Sequence, residues 1–253
     1  SGAITLNGGT YGISIGSGPV DLGAKTGTTV TASSSNITLQ SNYVSFGGTT
    51  TATTTGTVSV VPNDTSFRAA VSMSNFNVAN TATALTVGST GTTQSITLPV
   101  AYSIAGPISV LAGGSGGNIT ISGALTTTAS TGDVNIQAYA NVTLGGTVTS
   151  AGTGGISIAS TTGGSVTLNK GLMASASGAP ILVKAVGDIV GNDNATTFQT
   201  NNGNLTFWSD SDALLGGAIY IGRNNTLNTA NGSTTQTSAG GRITLAGGNT
   251  VDS

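Results

Sequence analysis

The sequence predicts an all-β protein, a parallel β-helix (β-solenoid) with three strands per coil of about 24 residues and loop excursions. Three observations predict it: a composition that disfavours helices, short blocks of alternating apolar and polar residues, and the return of those blocks at a fixed interval. Gly (40), Thr (45), Ser (30) and Asn (21) together exceed half of the 253 residues. Glu is absent and Lys and Met are few, while Gly, Thr, Ser and Asn disfavour helix interiors. Disorder does not fit either. Disordered chains carry charge and lack β-branched residues. Here 6% of residues are charged, and Ile, Val and Thr recur in blocks bounded by Gly, Asn and Ser.

The same composition excludes functions. Without His or Cys there is no serine–histidine or cysteine–histidine pair, no histidine-ligated zinc and no disulfide. Six scattered basic residues and a net charge of −2 do not make a nucleic-acid footprint. No apolar run reaches the length of a membrane span. No cofactor is expected.

The blocks justify the strands one by one. They begin with Ala3-Ile4-Thr5-Leu6, Asn36-Ile37-Thr38-Leu39 and Thr57-Val58-Ser59-Val60. They continue with Asn118-Ile119-Thr120-Ile121, Asn141-Val142-Thr143-Leu144, Gly155-Ile156-Ser157-Ile158 and Ser165-Val166-Thr167-Leu168, and close with Arg242-Ile243-Thr244-Leu245. Each puts two apolar residues on one face with a small polar residue between them. One series runs Ile119, Val142, Val166, Ile189, at steps of 23, 24 and 23. A second runs Val134, Ile156, Ile181, Leu205, at steps of 22, 25 and 24. A third runs Leu125, Val148, Met173, Phe198, at steps of 23, 25 and 25. Three positions recurring in fixed order are what a three-sided coil needs, and each series is a predicted core column. A narrow interior accounts for the small apolar residues, tight corners for Gly and Asn, and outward strand positions for Thr.

Residues 1–253 read as one solenoid segment with two interruptions. Leu205 to Ile243 spans 38 residues, and a strand at Ala218-Ile219-Tyr220-Ile221 divides the excess between loops at 209–217 and 229–241. Residues 62–94, with Pro62, Asp64, Phe67, Arg68 and Phe76, read as an irregular excursion packed on the rod. Residues 1–61 keep strand blocks with a looser period.

Several strings resemble the large filamentous-haemagglutinin-like exoproteins of bacteria. They are Pro107-Ile108-Ser109-Val110, Gly132-Asp133-Val134-Asn135-Ile136, Gly240-Gly241-Arg242-Ile243-Thr244-Leu245-Ala246-Gly247-Gly248 and above all Leu205-Thr206-Phe207-Trp208-Ser209-Asp210-Ser211-Asp212. The resemblance covers roughly residues 36–253. It implies a right-handed coil, export across an outer membrane to the cell surface or medium, and a role as adhesin or fibre. The secretion domain of that family carries Asn-Pro motifs, and none occurs here, so the chain is expected to be internal to a longer protein.

Candidate chemistry is sparse. Asp210 and Asp212 after Trp208 are candidate calcium ligands, but a polar turn with Trp208 capping the interior is the favoured reading. Asp188 and Asp193, with Asn192 and Asn194, lack the ligand spacing of a calcium loop and also read as a turn. Polysaccharide-degrading β-helices use paired acids. Asp133, Asp188 and Asp210 lie near strand starts or corners, but no strand carries two acids beside a base, so no catalytic residue is assigned. Thr29-Val30-Thr31, Thr51-Ala52-Thr53, Thr81-Ala82-Thr83 and Thr147-Val148-Thr149 suggest an ice-binding array, yet their separations are irregular. Asn-x-Ser/Thr strings at Asn36, Asn63, Asn118, Asn141, Asn194, Asn204, Asn224 and Asn231 read as chance in so Asn- and Thr-rich a chain.

The expected function is a structural or adhesive segment of a bacterial surface or secreted fibre, not an enzyme. The alternative is a polysaccharide-degrading β-helix enzyme. Expected partners are copies or other segments of the same protein, end to end, because neither Ala3-Ile4-Thr5-Leu6 nor Gly247–Ser253 resembles a cap. Glycans or surfaces are expected partners of the loops.

Overall fold

The computed structural model describes residues 4–9, 13–15, 28–32, 34–46, 48–192, 196–214, 216–230 and 240–247. Among them there is no helix, and every strand pair is parallel. Strands repeat in threes along the chain, and within each sheet a strand pairs with the third strand before or after it. The result is a β-solenoid with three faces.

The first face is one sheet of ten strands: Ile4–Gly9, Ile37–Ser41, Thr57–Val61, Ala84–Ser89, Ile108–Ala112, Val134–Ala138, Ile156–Ser160, Ile181–Lys184, Leu205–Ser209 and Ile243–Gly247. The second face holds a seven-stranded sheet: Val71–Ser72, Ile96–Leu98, Ile119–Ile121, Val142–Leu144, Val166–Leu168, Ile189–Gly191 and Ile219–Ile221. Below it lies a separate pair, Ile13–Ile15 and Val44–Phe46. The third face holds six strands: Tyr102–Ile104, Leu125–Thr127, Val148–Ser150, Leu172–Ser177, Thr197–Asn201 and Thr226–Asn228. A three-stranded sheet precedes these: Thr28–Ala32, Thr50–Thr54 and Phe76–Val78.

Burial alternates along the strands, and the inward positions stack into columns. Ile119, Val142, Val166 and Ile189 are in register and buried on the second face. Val134, Ile156, Ile181 and Leu205 are in register and buried on the first. On the third face the column is Leu125, Val148, Leu172, Phe198, which corrects the assignment of Met173. Met173 pairs with Thr149, faces outward and is 41% exposed. Leu172 and Met173 are both apolar, so spacing alone does not choose between them. A one-residue slip turns every side chain to the opposite face. The ladder decides it, because Leu172 pairs with the inward Val148 in the coil before and the inward Phe198 in the coil after.

Residues 62–94 also differ from the predicted excursion. They contain the strands Val71–Ser72, Phe76–Val78 and Ala84–Ser89, one for each face. Only the connection 62–70 is long. It buries Phe67 in the hydrophobic core and lacks the alternation that would have announced the strands around it. In the coil after Leu205–Ser209, the strand Ile219–Ile221 pairs with Ile189–Gly191, and the additional residues lie on either side of it. Residues 231–239 of the second loop, and 1–3 and 248–253 at the ends, lie outside the described residues.

The interior is narrow. Its four largest fully buried side chains are Tyr102, Phe76, Phe198 and Phe207. Phe198 and Phe207 meet edge to face, centroids 5.4 Å apart. Some corners leave no space for a side chain: at Gly155, with φ 76°, a Cβ would lie 1.9 Å from the Pro180 carbonyl oxygen.

Candidate functional surfaces

The corners carry the chain's polar chemistry, and they use it on the backbone. A turn exposes N–H groups that the strand ladders do not reach, and each needs an acceptor. Asn36, Asp133 and Asn204 stand directly before first-face strands. The Asn36 Oδ1 accepts the N–H of Thr57 at 3.0 Å, and the Asn204 Oδ1 that of Arg242 at 2.9 Å. Asp133 Oδ1 accepts the N–H groups of Gly154 and Gly155 at 2.8 and 3.2 Å. Before the second-face strands the rungs form an unbroken ladder. Asn118 accepts from Asn141, Asn141 from Ser165, Ser165 Oγ from Asp188, and Asp188 from Ala218, all at 2.8–3.1 Å. Each side chain therefore sets where the next coil turns.

This arrangement gives several Asn-x-Thr strings a physical cause that sequence reasoning missed. In Asn36-Ile37-Thr38, Asn118-Ile119-Thr120, Asn141-Val142-Thr143 and Asn204-Leu205-Thr206 the Asn is the corner rung, the apolar residue fills the column and Thr faces out. The recurrence of that tripeptide before strands was the available signal.

The candidate acids fall at different corners. Asp133 sits between the third and first faces. Asp188, Asp210 and Asp212 share the corner between the first and second faces in successive coils. Asp210 is buried with φ 48°, and its Oδ1 accepts the Gly216 N–H at 3.2 Å. Asp212 Oδ1 accepts the Leu214 N–H at 3.2 Å, which closes a local turn. Among the described residues no group of three or more acids could hold a metal ion. Asp193 and Asn194 lie outside the described residues. Trp208 does not cap the interior. Leu205 and Phe207 are the inward residues of its strand, while Trp208 points outward, with the Lys184 Nζ 4.6 Å over its ring.

Threonines do form a column, though not from the Thr-x-Thr strings. Thr97, Thr120, Thr143 and Thr167 are in register on the outside of the second face, one per coil. Of the strings, Thr29 and Thr31 pair with Thr51 and Thr53, but the next partner of Thr51 is Asn77. The last described strand of the first face differs from those before it. Ile243 and Leu245 continue the columns of Leu205 and Phe207, yet are 43% and 53% exposed where those two are fully buried.

No protein-family model, no curated protein and no solved structure matches the chain.

Proposed function

We propose that the chain is a structural and adhesive segment of a bacterial cell-surface or secreted fibre, a stiff rod that extends by stacking further coils and presents its loops and faces for attachment. The observation that carries this reading is the solenoid itself. A sheet of ten in-register strands on one face, with columns of apolar residues behind it, is an architecture for spanning distance. The resemblance to filamentous-haemagglutinin-like exoproteins supports placement outside the cell. The open columns at Ile243 and Leu245 support end-to-end contact with another coil, whether of the same long protein or of a second copy. The commitment of Asp133, Asp188 and Asp210 to backbone N–H groups supports a role without catalysis.

Electron microscopy and light scattering of the 253-residue chain test the proposal. Rods whose length increases with concentration are the expected outcome. Particles that stay monomeric at every concentration, or that release sugars from a polysaccharide, overturn it.

A further inference from the structure

The six-stranded sheet of the third face changes its outward chemistry at one place. Its outward central column reads Ser103, Thr126, Thr149, Met173, Gln199 and Asn228 in successive coils. Met173 interrupts a polar series with an exposed apolar side chain. Around it lies a groove of about 500 Å³, within the size range of small-molecule sites. Thr147 and Thr149 line one side, Thr197 and Gln199 the other, and Lys170 stands at the corner that leads into the face. Among the described residues, none of these five polar side chains makes a hydrogen bond or ion pair within the protein. The corners show the contrast, since their Asn, Asp and Ser side chains are occupied by backbone N–H groups.

We infer that this groove binds an acidic oligosaccharide, which names the partner for the attachment role proposed above and rests on that reading. A sugar ring has an apolar C–H face and a rim of hydroxyls. Met173 offers an apolar contact at the groove's centre, and the threonine hydroxyls and the Gln199 amide offer donors and acceptors on both sides. A uronate carboxylate meets Lys170 in a charge-assisted hydrogen bond. A peptide fits less well. The strands Val148–Ser150 and Leu172–Ser177 are paired on both sides, so they leave no edge for strand addition. One methionine is also too small an apolar surface to anchor a helix. No carboxylate lines the groove, so the site holds the saccharide without the acid pair that would cleave it.

The two methionines make the test direct. Met73 is fully buried and Met173 is exposed, so a chain labelled with ¹³C-methyl methionine gives one reporter inside and one in the groove. Titration with a galacturonate trimer is expected to move the Met173 signal in a saturable way and leave Met73 in place. Lys170→Ala is expected to raise the Kd by about tenfold or more while the thermal midpoint stays unchanged, as for loss of one charge-assisted contact. Raising salt from about 50 to about 500 mM is expected to weaken binding as well. A Met173 signal that does not move at about 10 mM trimer, a Lys170→Ala chain that binds as well as the parent, equal binding of a neutral galactose trimer, or equal binding of an aspartate tripeptide each overturns the assignment. Electron microscopy of the Lys170→Ala chain separates the two proposals. Intact rods with lost binding concern the groove alone, whereas absent rods concern the fibre reading.

Discussion

Between Ile108 and Ser209 all three faces are continuous, and columns of Val, Ile and Leu repeat coil after coil. Between Val44 and Ile104 only the first face is continuous. The second face breaks between Val44–Phe46 and Val71–Ser72, and the third between Phe76–Val78 and Tyr102–Ile104. Large side chains occupy this seam. Phe46 and Phe76 stack with centroids 4.6 Å apart, and the Tyr102 hydroxyl donates to the Phe76 carbonyl oxygen at 2.7 Å, with that of Met73 at 3.3 Å. The upper coils are held by repetition, each layer supplying the next with strand partners and a matched column. The seam is held by a few particular residues that replace the missing ladders.

The contrast is strongest for a charge placed inside the regular stack. Val166→Asp is expected to cost about 4 kcal/mol or more, because an unpaired carboxylate enters an apolar column. Thr167→Asp, facing outward beside it, is expected to stay within about 0.5 kcal/mol. Denaturation measures the loss, and hydrogen exchange shows which coils open. Equal effects at the two positions would break the assigned register. At the seam, Phe76→Ala is expected to cost about 3–4 kcal/mol, as a ring is deleted where ladders do not compensate. A loss as small as that of a column Val→Ala change would mean the seam is no weaker in design than the stack.

Tyr102 adds a pH signature. Burial pushes its phenol well above the ordinary value of 10.0. Above that value the unfolded chain releases the proton and the folded chain keeps it. Stability is therefore fully present below pH 10 and falls as pH rises beyond it, by up to about 1.4 kcal/mol per pH unit for this group. Tyr102→Phe is expected to lose about 1–2 kcal/mol at neutral pH, from the hydrogen bond, and to remove this slope. An unchanged alkaline slope would sink the account. At a corner, Asn141→Ala is expected to cost about 1 kcal/mol, as the Ser165 N–H loses its acceptor, and Thr143→Ala on the face nearly nothing. The smallest effect is calcium. Asp210 and Asp212 are turn residues in this reading, so the melting midpoint is expected to move by less than about 1 °C on calcium addition. A shift of several degrees would make them ligands.

Much of the stack was legible in the sequence, because a solenoid writes its period into the chain. Ile119, Val142, Val166 and Ile189 could be aligned by counting alone. Met173 could not, since two adjacent apolar residues leave the facing ambiguous until the strand above, at Phe198, is placed. The strands near Val71 and Phe76 were hidden by their shortness and by the connection before them. The groove was hidden for a different reason. Thr149, Met173 and Gln199 share it through register between coils, and each alone is an ordinary outward residue. The corner ladder was visible only as a tripeptide recurrence without a cause.

The hydrogen bonds between coils run along the rod and not around it. Tension applied at the two ends therefore loads them in series, one layer at a time, where strands pulled lengthwise would share the load. Such a rod yields by peeling. Each detached coil of about 24 residues pays out ~80 Å of slack at ~3.4 Å per residue, so a tether of this kind absorbs a sudden pull by lengthening before its attachment gives way.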